Sequence, residues 1–138
     1  MPTVNACYHT NCLIASIPPR GEYYWLYEAF EAEKFEWLIS NEILTEYMEK
    51  LADLYSDQTA HLVYSIISTA VNVIFSDRFF KWQLLEADPD DNKFADLAVA
   101  GNADYLITND RHFDILKDVQ FPRFNVVSLD AFKKIILD

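Results

Sequence analysis

Apolar positions recur along this chain with two different periods, and the places where one gives way to the other divide it into elements. Val4–Tyr8 is a short apolar run of strand length, followed by a turn through His9-Thr10-Asn11. Leu13-Ile14-Ala15-Ser16-Ile17 then meets Pro18-Pro19, which block any helix continuing through them. Between Glu22 and Ala32, the residues Tyr23, Leu26, Tyr27 and Phe30 recur at helical intervals, which predicts a helix. Phe35–Ile39 is short, aromatic and β-branched, hence a strand. Ser40 is a good helix cap, and Ile43, Leu44, Tyr47, Met48, Leu51 and Leu54 trace one stripe of the helix after it. The helical pattern repeats from His61 to Ala70, and Val71–Phe75 reads as a third strand.

Asp77–Leu85 is a mixed aromatic connection. Asp88-Pro89-Asp90-Asp91 then has the acid, the proline and the acidic first turn of a helix start, with Asp88 as the expected cap and Gly101 as the expected stop. Tyr105–Thr108 is a fourth strand, Phe113–Lys117 a short helix, Phe124–Leu129 a fifth strand, and Asp130–Leu137 a final helix capped by Asp130. Strands alternating with helices predict an α/β fold, a parallel sheet of about five strands covered on both faces. No repeat, low-complexity tract or Pro/Gly/Ser linker breaks the order, so residues 1–138 are expected to form a single domain. In sheets of this kind, functional residues gather beyond the carboxyl ends of the strands.

Composition narrows the classes. The chain is 51% hydrophobic and 15% aromatic, which excludes a disordered one. No apolar run approaches the ~20 residues that span a bilayer. The start, Met-Pro-Thr-Val-Asn, lacks the basic and apolar regions of a secretory signal, so a soluble, cytoplasmic protein is expected. Cys7 and Cys12 are too few for a disulfide framework and lack C-x-x-C spacing; buried thiols are expected. Twenty-two acids against 11 bases give a net charge of −11, which argues against a simple phosphate-binding surface. Either the partner is basic or apolar, or a polyanion is approached through metal ions that the acids hold.

The acids lie just beyond the predicted strands. Glu42 and Glu46 fall on the helix after the second strand, and Thr108-Asn109-Asp110 ends the fourth, with Asp114 one turn further. Asp91 shares a helix face with Phe94 and Ala98, Asp90 lies near that face, and Asp96 points away. Three or four carboxyl groups are therefore expected to converge at one end of the sheet. Two bare carboxylates at ~4 Å repel by about 4 kcal/mol at an effective dielectric near 20. A hard divalent ion with oxygen ligands removes that repulsion, which implies Mg²⁺ or Mn²⁺. On spacing alone, acids at helix starts are more often caps or solvated positions.

These residues also resemble a known family. His9-Thr10-Asn11-Cys12-Leu13 looks like the opening D-T-N-x-L motif of PIN domains, with His in the place of Asp. Ser40-Asn41-Glu42-Ile43-Leu44-Thr45-Glu46-Tyr47 resembles the S-x-x-I-L-x-E-[YL] segment that carries their second acid. Asp88-Pro89-Asp90-Asp91-Asn92-Lys93-Phe94, then Ala98 and Ala103-Asp104-Tyr105-Leu106-Ile107-Thr108-Asn109-Asp110, resembles D-P-D-D-x-x-[FL]…A-D-Y-[LI]-[VI]-T-x-D. The last block is the most specific, and the resemblance spans essentially the whole chain. It is nearest to the VapC-like branch, the toxin components of toxin–antitoxin pairs.

The resemblance implies a three-layer α/β/α PIN-like fold and an endoribonuclease that uses Mg²⁺ or Mn²⁺ to hydrolyse RNA phosphodiesters. It places the catalytic and metal-binding acids at Glu46, Asp91 and Asp110, with Asn11 and Thr108 as polar support. RNA would be the substrate, an antitoxin protein the partner, and a dimer or tetramer the assembly. The departure is His9, where the family's first acid stands. An imidazole still ligates metal, but suits Mn²⁺, Zn²⁺ or Ni²⁺ better than Mg²⁺. Three outcomes stay open: an altered metal site that still cuts RNA, a retained fold that serves only binding or oligomerisation, or a neighbouring acid, Asp114 or Asp90, in the vacant role. An unrelated doubly wound domain is disfavoured, since no Gly-rich phosphate loop follows any strand.

The remaining features have bland readings. His61 and His112 suit surface or capping roles, and Arg111 fits a phosphate contact or a salt bridge equally well. The aromatic stripe Tyr23, Tyr24, Trp25, Tyr27 and Phe30 exceeds what one helix face needs for core, which leaves some of it for a second copy or an antitoxin helix. Phe79, Phe80 and Trp82 pose the same question.

Overall fold

The computed structural model describes residues 4–77 and 80–137. Five strands form one parallel sheet: β1 Asn5–Tyr8, β2 Glu36–Ile39, β3 Val73–Phe75, β4 Tyr105–Ile107 and β5 Val126–Val127, in the spatial order β3-β2-β1-β4-β5. Ala6 pairs with Trp37 on one side and with Tyr105 on the other, so β1 is the central strand. The inner strands are almost wholly buried, and the edge strands less so. This is the burial expected of a parallel sheet covered on both faces.

The helices are α1 Thr10–Ser16, α2 Tyr24–Glu31, α3 Asn41–Leu54, α4 Asp57–Thr69, α5 Asn92–Ala100 and α6 Leu129–Leu137, with 3₁₀ turns at Pro89–Asp91 and Arg111–Asp118. From β1 through β3 the chain steps outward in one direction, and after β3 it crosses back to the far side of β1. Right-handed crossovers then put α1 to α4 on one face, and α5 with the Arg111–Asp118 turns on the other. The packing agrees: α1 lies on α2 and α3, α3 lies on α4, and α5 lies on β1 and β4. The result is the three-layer α/β/α arrangement.

The core on the first face is aromatic. Tyr8 stacks on Trp37 with ring centroids 4.4 Å apart, Phe30 meets Trp37 edge-on at 5.1 Å, and Phe35 meets Phe132 of α6 at 5.3 Å. Of the aromatic stripe on α2, Phe30 is buried and Tyr23, Tyr24, Trp25 and Tyr27 are half-buried; Trp25 packs on Phe132 and under Lys133. Cys7 and Cys12 are free, buried thiols, the second pushed up to about 12 by burial.

Several boundaries differ from the sequence reading, each for a local reason. His9 is extended and Thr10 opens α1, so the expected turn at His9–Asn11 is a helix start. Helix α4 begins four residues before His61 because the Ser56 hydroxyl accepts from the Thr59 amide at 3.0 Å. Strand β3 begins only at Val73; just before it, the Asn72 side-chain amide donates to the carbonyls of Phe30 and Phe35 and holds the turn that precedes the strand. The last helix is capped by Ser128, whose hydroxyl accepts from the Ala131 amide at 3.1 Å, and Asp130 sits inside its first turn. Asp88 makes no capping hydrogen bond.

Asp96, expected to point away from the Phe94 and Ala98 face, is nonetheless buried and accepts from the Trp82 amide at 3.0 Å. Gly101 follows α5 as expected, but the left-handed residue there is Asn102, with φ of 51°. Gly101 is required instead by contact, because a Cβ there would lie 2.3 Å from Leu38 Cδ2 and 2.9 Å from its Cγ. No described helix is long and apolar enough to cross a membrane.

Candidate metal centre

Strands β1 and β4 are neighbours, yet the chain leaves β1 toward β2 and leaves β4 toward β5. This is the point where a doubly wound sheet opens a crevice above its carboxyl edge. His9 is the first residue past β1, and its amide still reaches the Ile107 carbonyl at 3.0 Å. Asp110 is the third residue past β4. The Thr108 hydroxyl accepts from the Asp110 amide at 3.0 Å, and the Asp110 carboxylate in turn accepts from the His112 amide at 2.9 Å. Asp91 arrives from the other side of the crevice. Helix α5 runs back along the sheet, so its amino-terminal end lies at the same carboxyl edge, and Asp91 is its cap residue.

The three meet. One ligand atom from each of His9, Asp91 and Asp110 lies within 4.8 Å of the other two, and among the described residues this is the group placed to hold a metal ion. His9 Nε2 is 3.2 Å from Asp91 Oδ1, and both residues are buried. The imidazole is wedged against Phe94 and Phe113, with ring centroids 5.0 and 5.2 Å away. Its Nδ1 is buried and has no hydrogen-bond partner.

Glu46 stands apart from this trio. Its carboxylate takes a hydrogen bond from the Thr10 hydroxyl and an ion pair from Lys93 at 2.8 Å. The same ammonium donates to the Asp90 carbonyl at 2.7 Å. The Asp90 side chain is itself exposed, and Asp114 is exposed and paired with Lys117 at 3.2 Å, so neither lies in the group. Asn11 is exposed at the start of α1. Thr108 acts on the site through the Asp110 backbone.

Electrostatics follow from these contacts. Burial alone raises the Asp91 carboxyl. The His9 bond and charge, a bond from Asp88 and the Lys93 charge outweigh it and hold Asp91 below the usual carboxylate range. Asp88 moves the other way, raised first by the negative charge of Asp91 and by their hydrogen bond. Of the two, Asp88 is the carboxyl that takes up a proton first as pH falls. Sequence pattern gives no site role to Lys93 or Thr10 and only a surface or capping role to His112, whose Nδ1 lies 3.3 Å from Asp110. Thr10 lay inside the first motif, but nothing in the pattern aimed it at Glu46. Lys93 acts through the reach of its side chain, which spacing does not encode.

The donor set fits a divalent ion. Two carboxylates and an imidazole with a buried, unpartnered nitrogen offer mixed oxygen and nitrogen ligation. A cleft of about 600 Å³ opens beside the trio, between Leu84 and Asp88 on one wall and His112 and Ile115 on the other. A larger hollow, about 690 Å³, runs along β5 and holds none of the three residues.

A family model described as a PIN domain matches residues 5–112. The chain thus belongs to the PIN-domain family, as a parallel sheet with acids at its β1/β4 crevice leads one to expect. Among solved structures, it is similar to a chain of VapBC2 from Rickettsia felis, solved bound to a DNA fragment from their promoter: 17% identity, TM-score 0.58, over 89% of this chain and 97% of that one. It is also similar to a chain of DNA-bound VapBC from Salmonella typhimurium: 18% identity, TM-score 0.58, over 92% and 99%. At these identities the similarity shows the fold. A comparison with curated proteins gave no significant match.

Proposed function

We propose that the protein is a divalent-metal-dependent endoribonuclease, the VapC-like toxin component of a toxin–antitoxin pair. The observation that carries this reading is the meeting of His9, Asp91 and Asp110 within 4.8 Å at the β1/β4 crevice. Membership of the PIN family and the fold shared with chains of two VapBC complexes support it. On this reading residues 1–138 act as one cytoplasmic domain, its partner is an antitoxin, and it assembles with copies of itself.

Asp91, Asp110 and His9 hold the ion, Mn²⁺ in preference to Mg²⁺. When bound, the ion acidifies a water and neutralises charge building on the phosphodiester. The protein's own groups do the rest. Asp91 is kept ionised by His9 and Lys93, and Asp110 is held by Thr108 and His112. Glu46 is tied to Thr10, next to His9, and to Lys93, two residues past Asp91, so its carboxylate borders the trio. The test is cleavage of single-stranded RNA in Mn²⁺ and in Mg²⁺. Cleavage in Mn²⁺ that is silenced by chelation and by Asp91→Asn or Asp110→Asn supports the reading, and no cleavage of varied RNAs in either ion contradicts it.

A second reading rests on its own observation. His9 on Asp91 and Lys93 on Glu46 balance two of the acids without an ion. In that case the fold serves binding or oligomerisation, and His9→Asp restores both metal binding and cleavage.

A further inference from the structure

The aromatic residues that the metal centre leaves unused form a strip leading away from it. Two stretches of chain run side by side here, residues 80–88 and the Arg111–Asp118 turns with their continuation to Phe121. At one end Trp82 meets Phe121 edge-on, with ring centroids 5.9 Å apart, and Phe80 meets Trp82 at 4.9 Å. In the middle, Leu84 and Ile115 face the same cleft, and at the far end that cleft is closed by Asp88, Asp91 and His112. The order along one stretch is thus the reverse of the order along the other: the rings lie at one end of the pair, and toward the other end lies the cleft that Asp91 lines.

The track is open to solvent. Phe80 is 68% exposed, Phe121 81% and Ile115 57%. Exposed rings grouped in this way need an occupant. Two features favour a nucleic acid strand over a protein. Lys81, between Phe80 and Trp82 in sequence, and Arg123, two residues past Phe121, are exposed cations in a chain that is otherwise strongly acidic, and the track leads toward the cleft that Asp91 lines. Its walls suit bases rather than phosphates. Glu86 and Asp88 repel a sugar-phosphate backbone from the cleft, while rings and aliphatic side chains accept the flat face of any base.

We infer that Phe80, Trp82 and Phe121 are a stacking platform for unpaired bases, which feeds a single-stranded RNA along Leu84 and Ile115 toward Asp91. Paired bases present no open faces to the rings, so the platform selects single strands and loops. This deepens the nuclease reading and rests on it only for the identity of the ligand as RNA.

The test is fluorescence anisotropy with a short, labelled, mixed-sequence single-stranded RNA and with the same sequence as a duplex, in a chelator so that cleavage does not contribute. The single strand is expected to bind better than the duplex, and the double variant Phe80→Ala/Phe121→Ala to weaken it by at least about fivefold per ring removed, the lower end of what a base–aromatic stack contributes. Phe121→Tyr keeps the affinity. Because both phenylalanines are largely exposed, the variants are expected to melt within a few degrees of the parent, checked by circular dichroism. Failure of the single strand to bind, equal binding of the duplex, or unchanged affinity in the double variant overturns the inference. So does a double variant whose only change is lost self-association in sedimentation, which assigns the rings to a protein contact. RNA held by the rings without metal-dependent cleavage leaves the platform standing and sinks the nuclease reading. Cleavage that persists with unchanged affinity in the double variant does the reverse.

Discussion

At position 9 the family pattern has a carboxylate, and here an imidazole hydrogen-bonds Asp91 at 3.2 Å inside a collar of Phe94 and Phe113. His9→Asp exchanges that contact for repulsion between two buried carboxylates. In chelator the variant is expected to lose about 2 kcal/mol, the scale of a hydrogen bond to a charged group, and to regain stability on adding Mg²⁺. Thermal melts with and without the ion check this; a variant as stable as the parent in chelator contradicts it. Asp96 tests electrostatics away from the site. Burial raises its carboxyl, followed by the nearby Glu42, against the lowering effects of the Trp82 amide and Lys81. A raised folded-state pKa means that the folded chain binds the proton more tightly, so stability falls as pH rises from the ordinary carboxylate range through the raised value, and is level above it. Asp96→Asn lacks that dependence. Its stability relative to the parent should climb across the same window, as urea titrations at stepped pH can show; a flat difference refutes the assignment.

Between elements, two contacts set the geometry of the crevice. The Tyr47 hydroxyl of α3 donates to the Tyr8 carbonyl, which fixes the end of β1 immediately before His9. Tyr47→Phe leaves that carbonyl without a partner in a buried place. It is expected to cost about 1–3 kcal/mol, read as a lower urea midpoint at unchanged slope. On the other side, the close approach of Gly101 to Leu38 lets α5 lie flat on the sheet and delivers Asp91 to the carboxyl edge. Gly101→Ala forces Leu38 to shift in a filled core, with an expected loss of about 1–3 kcal/mol; a variant as stable as the parent disproves the contact. Element identities were readable where periodicity and caps agreed, as at Ser40, whose hydroxyl does accept from the Ile43 amide. Boundaries moved where a side chain overrode the pattern. Ser56, Asn72 and Ser128 each spend a polar side chain on backbone groups, which moves a boundary without changing the hydrophobic stripe.

In the molecule as a whole, strand order turns a string of separated acids into one site. Alternating strands and helices announced a parallel sheet, but not that β4 would lie beside β1, and only that neighbourhood brings Asp110 to His9. The motif spacings marked Asp91 and Asp110 because each lies at the end of an element. Glu46 was marked on the same grounds, yet Thr10 and Lys93 hold its carboxylate outside the trio, through side-chain reach that no periodicity records. Whether that trio holds a divalent cation is read most directly by calorimetric titration of Mn²⁺ into the metal-free protein. One ion per chain is expected, with affinity falling by more than about tenfold to a hundredfold in Asp110→Asn, since losing even an outer partner of a metal ligand costs that much. No heat of binding, or equal binding by parent and variant, would contradict cation binding by the trio.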